Sequence, residues 1–202
     1  MTPPTVQFIP ASGPTLIIHD AFGGSGGLNG RTPDTIDNGN TWSTADTWTV
    51  QSGYVWWQAG AASDSYATID PSSTSFSMEV DTYLVNGRNH GIVTHFQGAS
   101  SNRSYFRWVF YGSPVRAEFR LIEIVGAITY STLLANPVYL PFGSTFQQNY
   151  VCNGSSVDYE VISGGSTLIS GSTSVRNTTD IAGFYAAAKT THLRFEDLKV
   201  YT

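Results

Sequence analysis

The most constraining feature of this sequence is a succession of short segments that alternate apolar and polar residues and are separated by turn dipeptides. Asn-Gly pairs stand at 29–30, 38–39, 86–87 and 153–154, and this pair readily takes the positive φ angles of tight hairpin turns. From residue 16 onward the alternation has the period of a β-strand, with no sustained helical period. The pattern predicts about fourteen short strands in an all-β protein, either a two-layer sandwich or a closed barrel.

Length and composition indicate one domain preceded by an arm. A chain of 202 residues can bury a core that needs no disulfide, and its one cysteine, Cys152, excludes an internal disulfide or a multi-cysteine zinc site. Prolines crowd the first residues, and each fixes φ and lacks a donor for sheet pairing. They are Pro3, Pro4, Pro10 and Pro14. We therefore expect an extended arm over residues 1–15 and a β-sandwich over residues 16–202.

The charge balance excludes several classes of partner. The net charge is −5 and only 12% of residues are charged, which argues against binding to nucleic acid or to an anionic membrane. No apolar run approaches the length of a membrane-spanning helix. The first fifteen residues lack the basic and apolar regions of a signal peptide, so we expect a protein made in the cytoplasm.

Three consecutive predicted strands suggest a polar groove. The segments 76–84, 90–97 and 104–111 follow one another through short turns, so we expect them to form one antiparallel meander. Their apolar positions alternate with polar ones that would share one solvent-facing surface. That candidate surface for a glycan or a protein partner consists of Glu79, Asp81, Tyr83, His95, Gln97, Tyr105, Arg107 and Arg120.

The last predicted strand changes phase. Leu193 and Phe195 share one parity, whereas Leu198 and Val200 share the other. One inserted residue exchanges the faces of a strand, so a bulge at Glu196 and Asp197 would return both pairs to the core.

The two ends of the predicted sandwich carry a family resemblance. The opening HDAFGGSGGLNGRTPD, followed by GNTW, and the closing FEDLKVY resemble a concanavalin A-like, laminin G-like jelly roll. The resemblance implies a two-sheet antiparallel sandwich in which the first strand pairs near the last. Domains with this opening are similar to those of bacteriophage structural proteins and of carbohydrate-binding modules.

One candidate enzymatic site lies within a single strand. In Glu79-Val80-Asp81-Thr82-Tyr83 alternate carboxylates resemble the catalytic strand of laminarinase-like glycoside hydrolases of this fold, where one acts as nucleophile and another as acid. Tyr83 occupies the position of the third carboxylate, so the acid is missing from the motif. The alternative is a solvated or interface pair.

A second enzymatic hypothesis uses His95, Gln97, Tyr105 and Arg107. Jelly-roll polysaccharide lyases use such residues to abstract a proton beside a uronate and to neutralise its carboxylate. The ordered motifs of those lyases are absent here, and a polar surface pair is the alternative for His95 and Gln97.

The five tryptophans allow a sugar-stacking interpretation, because sugar rings pack their C–H faces on exposed aromatic rings. Parity and position favour the core for most of them, including Trp42, Trp48 and Trp108. Trp56 and Trp57 are adjacent and point to opposite faces, so we expect one of them, with Trp57 as the candidate, to be available for contacts.

The resemblance also implies a structural calcium ion at Asp197, because many relatives hold one between the last strand and the opening loops. Asp20 would approach Asp197 if the end strands pair. The alternative is a bulge carboxylate that accepts hydrogen bonds from nearby amides. No other cofactor is expected.

These observations favour a non-enzymatic structural protein of a bacteriophage virion, either a capsid decoration or a tail component, with host-surface glycan binding by its lectin-like domain as a secondary activity. The expected partners are other virion proteins, contacted through the arm, and further copies of the chain. The alternatives are a carbohydrate-binding module and a glycan hydrolase or lyase.

Overall fold

The structure, a computed structural model, describes residues 13–57, 64–73, 75–84, 89–98, 102–111, 116–140, 142–187 and 193–202. These residues form seventeen β-strands and no helix, which confirms the all-β prediction. It follows that the described part of the chain holds no helix that could cross a membrane. The strands are β1 (Leu16–Asp20), β2 (Ser25–Gly27), β3 (Thr35–Ile36), β4 (Ser43–Thr44), β5 (Trp48–Gln51), β6 (Val55–Trp57), β7 (Ser65–Ile69), β8 (Ser75–Leu84), β9 (His90–Phe96), β10 (Arg103–Tyr111), β11 (Arg116–Val125), β12 (Ile128–Tyr139), β13 (Thr145–Asn153), β14 (Ser156–Ser163), β15 (Ser166–Ser174), β16 (Asp180–Ala186) and β17 (Leu193–Tyr201).

The strands form two antiparallel sheets. The large sheet has ten strands, with the main order β15-β14-β13-β8-β17-β6-β5-β2, and β1 joins it by pairing with both β17 and β3. The small sheet has seven strands in the order β12-β11-β10-β9-β16-β7-β4. The predicted two-sheet antiparallel sandwich is therefore confirmed.

Aromatic rings fill the space between the sheets. Phe184 of the small sheet stacks on Phe195 of the large sheet, with ring centroids 4.1 Å apart and planes inclined by 11°. Trp42 also stacks on Phe184, with ring centroids 5.2 Å apart. Trp48 and Trp108 are also buried, so the sequence prediction that these tryptophans belong to the core is confirmed.

A buried polar bridge also joins the two sheets. The indole N–H of Trp108 on β10 donates to Oε1 of Gln148 on β13 at 2.9 Å. The Tyr150 hydroxyl donates to the same oxygen, and Gln148 Nε2 donates to the Thr82 hydroxyl. Buried amide groups are costly unless bonded, and this bridge satisfies both ends of the Gln148 amide.

The end strands pair as the resemblance implied. β1 lies antiparallel to β17, with Ile18 opposite Val200, and the register of β17 on β8 shifts between Phe195 and Asp197. Phe195, Leu198 and Val200 are all buried, so the predicted bulge is confirmed. Next to the start of β1 and the end of β17, Thr15 and Thr202 exchange backbone hydrogen bonds of 2.8 and 3.0 Å. Residues 1–12 of the predicted arm lie outside the described residues.

The opening motif is organised by one buried carboxylate. Asp20 accepts hydrogen bonds from the Phe22 amide and the Trp42 indole, each at 2.8 Å, and from the Arg31 guanidinium. Phe22 has a positive φ of 52° and its ring is fully buried. The Asp-x-Phe motif therefore turns the chain out of β1 and fixes the loop that follows.

The predicted meander is wrong. β9 and β10 pair in the small sheet, but β8 lies in the large sheet between β13 and β17. The chain crosses between the layers after β8, because that strand pairs with partners remote in sequence. The polar residues assigned to one groove are thus divided between opposite sides of the sandwich.

Candidate functional site

The outer face of the small sheet carries a compact group of aromatic rings. Tyr66, Tyr105 and Tyr185, from β7, β10 and β16, form what we call the tyrosine cluster. Tyr105 stacks on Tyr185 with ring centroids 4.2 Å apart, and Tyr66 lies 5.4 Å from Tyr185 and 5.9 Å from Tyr105. Phe96 packs against Tyr66 at 5.1 Å. The cluster is separate from the main core, and its three tyrosines are at most 2% exposed.

Two glycines make room for the tyrosine cluster. Gly91 on β9 lies opposite both Arg107 and Tyr185, and a Cβ there would lie 1.9 Å from the Phe106 carbonyl oxygen. A Cβ on Gly183 of β16 would lie 2.2 Å from the Ala67 carbonyl oxygen. The strands approach closely only because these positions lack side chains.

Arginines cover the tyrosine cluster from the solvent side. Arg103 donates from Nε to the Tyr66 hydroxyl at 2.8 Å, with its guanidinium carbon 5.3 Å from the centre of that ring. The guanidinium carbon of Arg107 lies 5.8 Å from the centre of the Tyr185 ring. Such cation–π contacts fix the orientation of an arginine while leaving its N–H groups for a ligand.

Two donors of this site are buried and incompletely bonded. Arg107 Nε has no hydrogen-bond partner within the described residues, and the Tyr185 hydroxyl has none apart from its interaction with the hydroxyl of the stacked Tyr105. Buried polar groups are nearly always bonded, and an exception commonly marks an unseen water, an ion or a functional site. Burial raises the pKa of Tyr66, Tyr105 and Tyr185 above the ordinary tyrosine value, so these hydroxyls stay protonated and can donate.

Glu79, Asp81 and Tyr83 lie on the outer face of the large sheet. Asp81 is directly opposite Asp197, whereas Glu79 is opposite Lys199 and accepts a hydrogen bond from the Tyr201 hydroxyl at 3.2 Å. Burial, followed by the charge of Asp197, raises the pKa of Asp81. These residues are therefore far from the tyrosine cluster, and their assignment to a common groove with it is wrong.

The other predicted groove residues lie on the small sheet or next to it, but they do not all lie on its outer face. Tyr105, Arg107 and Arg120 lie on its outer face as predicted, and Tyr105 is buried there. Gln97 is exposed and donates to the Thr179 hydroxyl at 2.8 Å.

His95 points the other way from the prediction. It is fully buried, contacts the Thr94 hydroxyl at 2.9 Å and reaches the Gly154 carbonyl oxygen of the large sheet at 3.1 Å. A register shift in β9 between Val93 and His95 reverses the alternation, which explains the error. The predicted lyase constellation of His95, Gln97, Tyr105 and Arg107 is therefore not assembled.

The exposed tryptophan was assigned incorrectly. Trp57 is 2% exposed and belongs to the core, so it is not available to a sugar. Trp56 is the partly exposed member of the pair. The register of β5 on β6 explains this, because Trp57 lies opposite the buried Trp48.

The Asp197 carboxylate is already bonded by a lysine and a histidine. It lies 2.8 Å from Nε2 of His19 and 2.8 Å from Nζ of Lys199, while Asp20 is occupied by its own donors. A calcium ion needs six to eight oxygen ligands, and no group of three or more His, Cys, Asp or Glu residues in the described ranges is placed to hold a metal. Calcium at Asp197 stays a prediction that these surroundings do not favour.

Two residues of the tyrosine cluster, Tyr66 and Tyr185, were not predicted from the sequence. Tyr66 lies in a strand buried on both faces, and Tyr185 lies in an apolar run. Neither segment shows which face is outermost, so nothing in the pattern distinguished these tyrosines from core residues.

Solved structures similar to this chain include both sugar-binding domains and enzymes. No protein-family model and no curated protein sequence matches the chain. The legume lectin-like domain from Entamoeba histolytica has a TM-score of 0.54 at 12% identity, covering 79% of this chain and 89% of that one. The CBM2 module of Lactobacillus casei BL23 phage J-1 evolved Dit has a TM-score of 0.57 at 10% identity, covering 93% and 95%.

The similarity to enzymes covers only a minor part of each enzyme chain. Xylan β-1,4-xylosidase from Bacillus halodurans C-125 has a TM-score of 0.63 at 12% identity and 91% coverage of this chain, but this chain spans only 39% of the xylosidase. Together with the two antiparallel sheets and the paired end strands, these similarities show that the chain has a concanavalin A-like jelly-roll fold. The fold is one that lectin-like and carbohydrate-binding domains share.

Proposed function

We propose that this chain is a non-enzymatic, glycan-binding domain of a bacteriophage particle and that it binds sugar on the outer face of the small sheet. The observation that carries the binding role is Arg107, whose Nε is buried without a hydrogen bond beside the Tyr185 ring. Its guanidinium and the Tyr185 hydroxyl are hydrogen-bond donors held by a rigid aromatic cluster, which suits the hydroxyl-rich surface of a glycan.

The similarity to sugar-binding modules supports this role. The chain corresponds to nearly the whole of the CBM2 module of the phage Dit protein, whereas it spans only a minor part of the xylosidase. The first of these matches also supports a place on a phage particle, as a capsid decoration or tail component. Anchoring through residues 1–15, contact with other virion proteins and self-association are further parts of the proposal.

A glycan array of the full chain tests the binding role. Tyr185→Phe removes only the hydroxyl and keeps the stacked ring, so we expect it to weaken binding several-fold without unfolding the domain. Tyr201→Phe is the matched control, because its hydroxyl lies on the large sheet. An array without any bound glycan, or equal binding by both variants, would contradict the proposed function.

Sedimentation tests the virion role. Protein produced during infection should sediment with phage particles, and deletion of residues 1–14 should release a folded domain into the supernatant. Retention of the shortened protein on the particles would show that the arm is not the anchor.

Glycan hydrolysis is the second candidate, favoured by one observation. Asp81 faces Asp197 directly and has a raised pKa, and glycosidases use a carboxylic acid with a raised pKa together with a second carboxyl group. Against it, Asp197 contacts both Lys199 and His19. Release of reducing ends from a polysaccharide that is lost in Asp81→Asn would favour the hydrolase.

A further inference from the structure

Arg107 is a cation without an ion-pair partner among the described residues. No carboxylate of the described residues forms an ion pair with it, and its Nε is buried without a hydrogen bond. Its guanidinium makes a cation–π contact with the Tyr185 ring. A partly buried charge without a partner destabilises the folded state. The chain has a net charge of −5, yet none of its described carboxylates pairs with Arg107. A bound anion would stabilise this arginine.

A second arginine faces Arg107 across the sheet. Arg120 on β11 lies directly opposite it, and like charges placed directly opposite each other on one face are unfavourable. Arg120 donates to Glu118 at 2.5 Å and to the Ser131 hydroxyl at 3.1 Å. Glu118 therefore neutralises Arg120 in part, whereas Arg107 has no ion pair and shares its surroundings with Asp64, whose charge also acts on the three tyrosines.

The Tyr185 hydroxyl adds a neutral donor beneath Arg107. Both residues lie opposite Gly91, one on each side of β9, so the strand between them contributes no side chain. The hydroxyl is fully buried, and its interaction with Tyr105 leaves it a further hydrogen bond to make. An oxygen of a bound anion would satisfy this donor and the guanidinium together, as in other charge-assisted hydrogen bonds of arginine.

The two outer faces of the sandwich differ in charge. The charged side chains that face outward on β10 and β11 are Arg103, Arg107, Arg116, Arg120 and Glu118, and Asp64, before β7, adds a second carboxylate near the tyrosines. The outer face of the large sheet bears Glu79, Asp81, Asp158, Glu160, Glu196 and Asp197, with Arg194 and Lys199 as its cations. An anionic ligand is therefore favoured by the small sheet and repelled by the large one.

We infer that Arg107 and Arg120 form a subsite for an anionic group, a carboxylate or phosphate carried by an acidic glycan, with the Tyr185 hydroxyl as a further donor. This inference rests on the proposed glycan-binding function and specifies the class of sugar. Arginine binds carboxylates and phosphates through paired N–H groups, which lysine cannot reproduce.

Isothermal titration calorimetry of the full chain tests the inference with matched probes. Tri-galacturonate is compared with its methyl ester, which has the same rings without the charge, and a glycerol phosphate oligomer is compared with glycerol. We expect at least one charged probe to bind about tenfold more tightly than its uncharged counterpart, and binding to weaken in high salt. Which charged probe binds identifies the carboxylate or the phosphate as the source of the anion.

Variants locate the subsite. Arg107→Gln should reduce the affinity for the charged probe by about tenfold or more, and Arg107→Lys should recover only part of it. Arg194→Gln is the matched control, because Arg194 lies 4.4 Å from the centre of the Tyr54 ring on the large sheet, and it should change the affinity less than about twofold. Thermal unfolding of each variant verifies that it is folded.

The outcomes separate this inference from the proposed function. Array binding of neutral glycans that depends on Tyr185, with no preference for charge, overturns the anionic subsite and leaves the glycan-binding proposal intact. Binding of the charged probe that Arg107→Gln abolishes, together with an array without bound glycans, supports the anion site and overturns the broader proposal. If neither charged probe binds, the inference is overturned.

Discussion

Asp81 and Asp197 lie directly opposite each other on β8 and β17, on the outer face of the large sheet. Burial and then the charge of Asp197 raise the pKa of Asp81 above its ordinary value of 3.8. A carboxyl whose pKa is higher in the folded state destabilises that state once both states are ionised, and the penalty disappears as the pH falls through the folded-state pKa. This pair is thus a local weakness at neutral pH.

Asp81→Asn should therefore stabilise the protein at pH 7 by about 0.5–1 kcal/mol, because it removes a like-charge cross-strand pair. The gain should diminish at low pH, where Asp81 is protonated in both states. Urea unfolding at several pH values measures it. Glu79→Gln, two residues away and opposite Lys199, is the control and should give no gain, since its charge is favourably placed.

The buried ring of His95 makes stability depend on pH in the opposite direction. Burial lowers its pKa below the ordinary 6.5, so the unfolded chain binds a proton that the folded protein does not. The stabilisation is complete above about pH 6.5 and is lost as the pH falls from there toward the folded-state pKa. The free energy of unfolding should decrease over this range in the wild type, and His95→Gln should flatten that slope. Equal slopes would contradict the assignment.

Gly91→Ala should be strongly destabilising, because the added Cβ would lie 1.9 Å from the Phe106 carbonyl oxygen. Forced separation of β9 from β10 should cost about 3 kcal/mol and should also disturb the tyrosine cluster, visible as a change in near-ultraviolet circular dichroism. Gly27→Ala, where a Cβ meets no atom within 4 Å, should have little effect on either measurement.

Gln148→Leu should remove the polar bridge between the sheets. It leaves the Trp108 indole N–H, the Tyr150 hydroxyl and the Thr82 hydroxyl without their buried partner, at a combined cost of about 2–4 kcal/mol. Denaturant unfolding measures this cost. The neighbouring Gln147→Leu lies on the outer side of the same strand and should change stability by less than about 0.5 kcal/mol.

The sequence was most informative where one strand could be judged by itself. The parity of Phe195 against Leu198 and Val200 was sufficient to place the bulge in β17, because both apolar pairs must reach the same core. In β10 the alternation likewise placed Tyr105 and Arg107 on the outer face. These features depend on local alternation, which a single sequence displays directly.

Apart from the pairing of β1 with β17, which the family resemblance implied, features that depend on distant pairing could not be predicted. β8 was placed beside β9 because they are neighbours in the chain, but it pairs with β13 and β17. His95 was placed outward because the irregularity in β9 leaves no mark when the residues on both sides are apolar or weakly polar. The tyrosine cluster depends on both kinds of information, since Tyr66 and Tyr185 meet Tyr105 only through the order of strands in the small sheet.

The reciprocal hydrogen bonds between Thr15 and Thr202 bring the beginning and the end of the sandwich to one point beside β1 and β17. Domains whose ends adjoin can be inserted into a loop of a host protein with little strain on either. A tether attached at either end leaves from the same place on the large-sheet layer, while the arginines of the small sheet belong to the opposite layer. The domain can therefore be displayed on a larger scaffold, through one connection or two, with the same face turned outward.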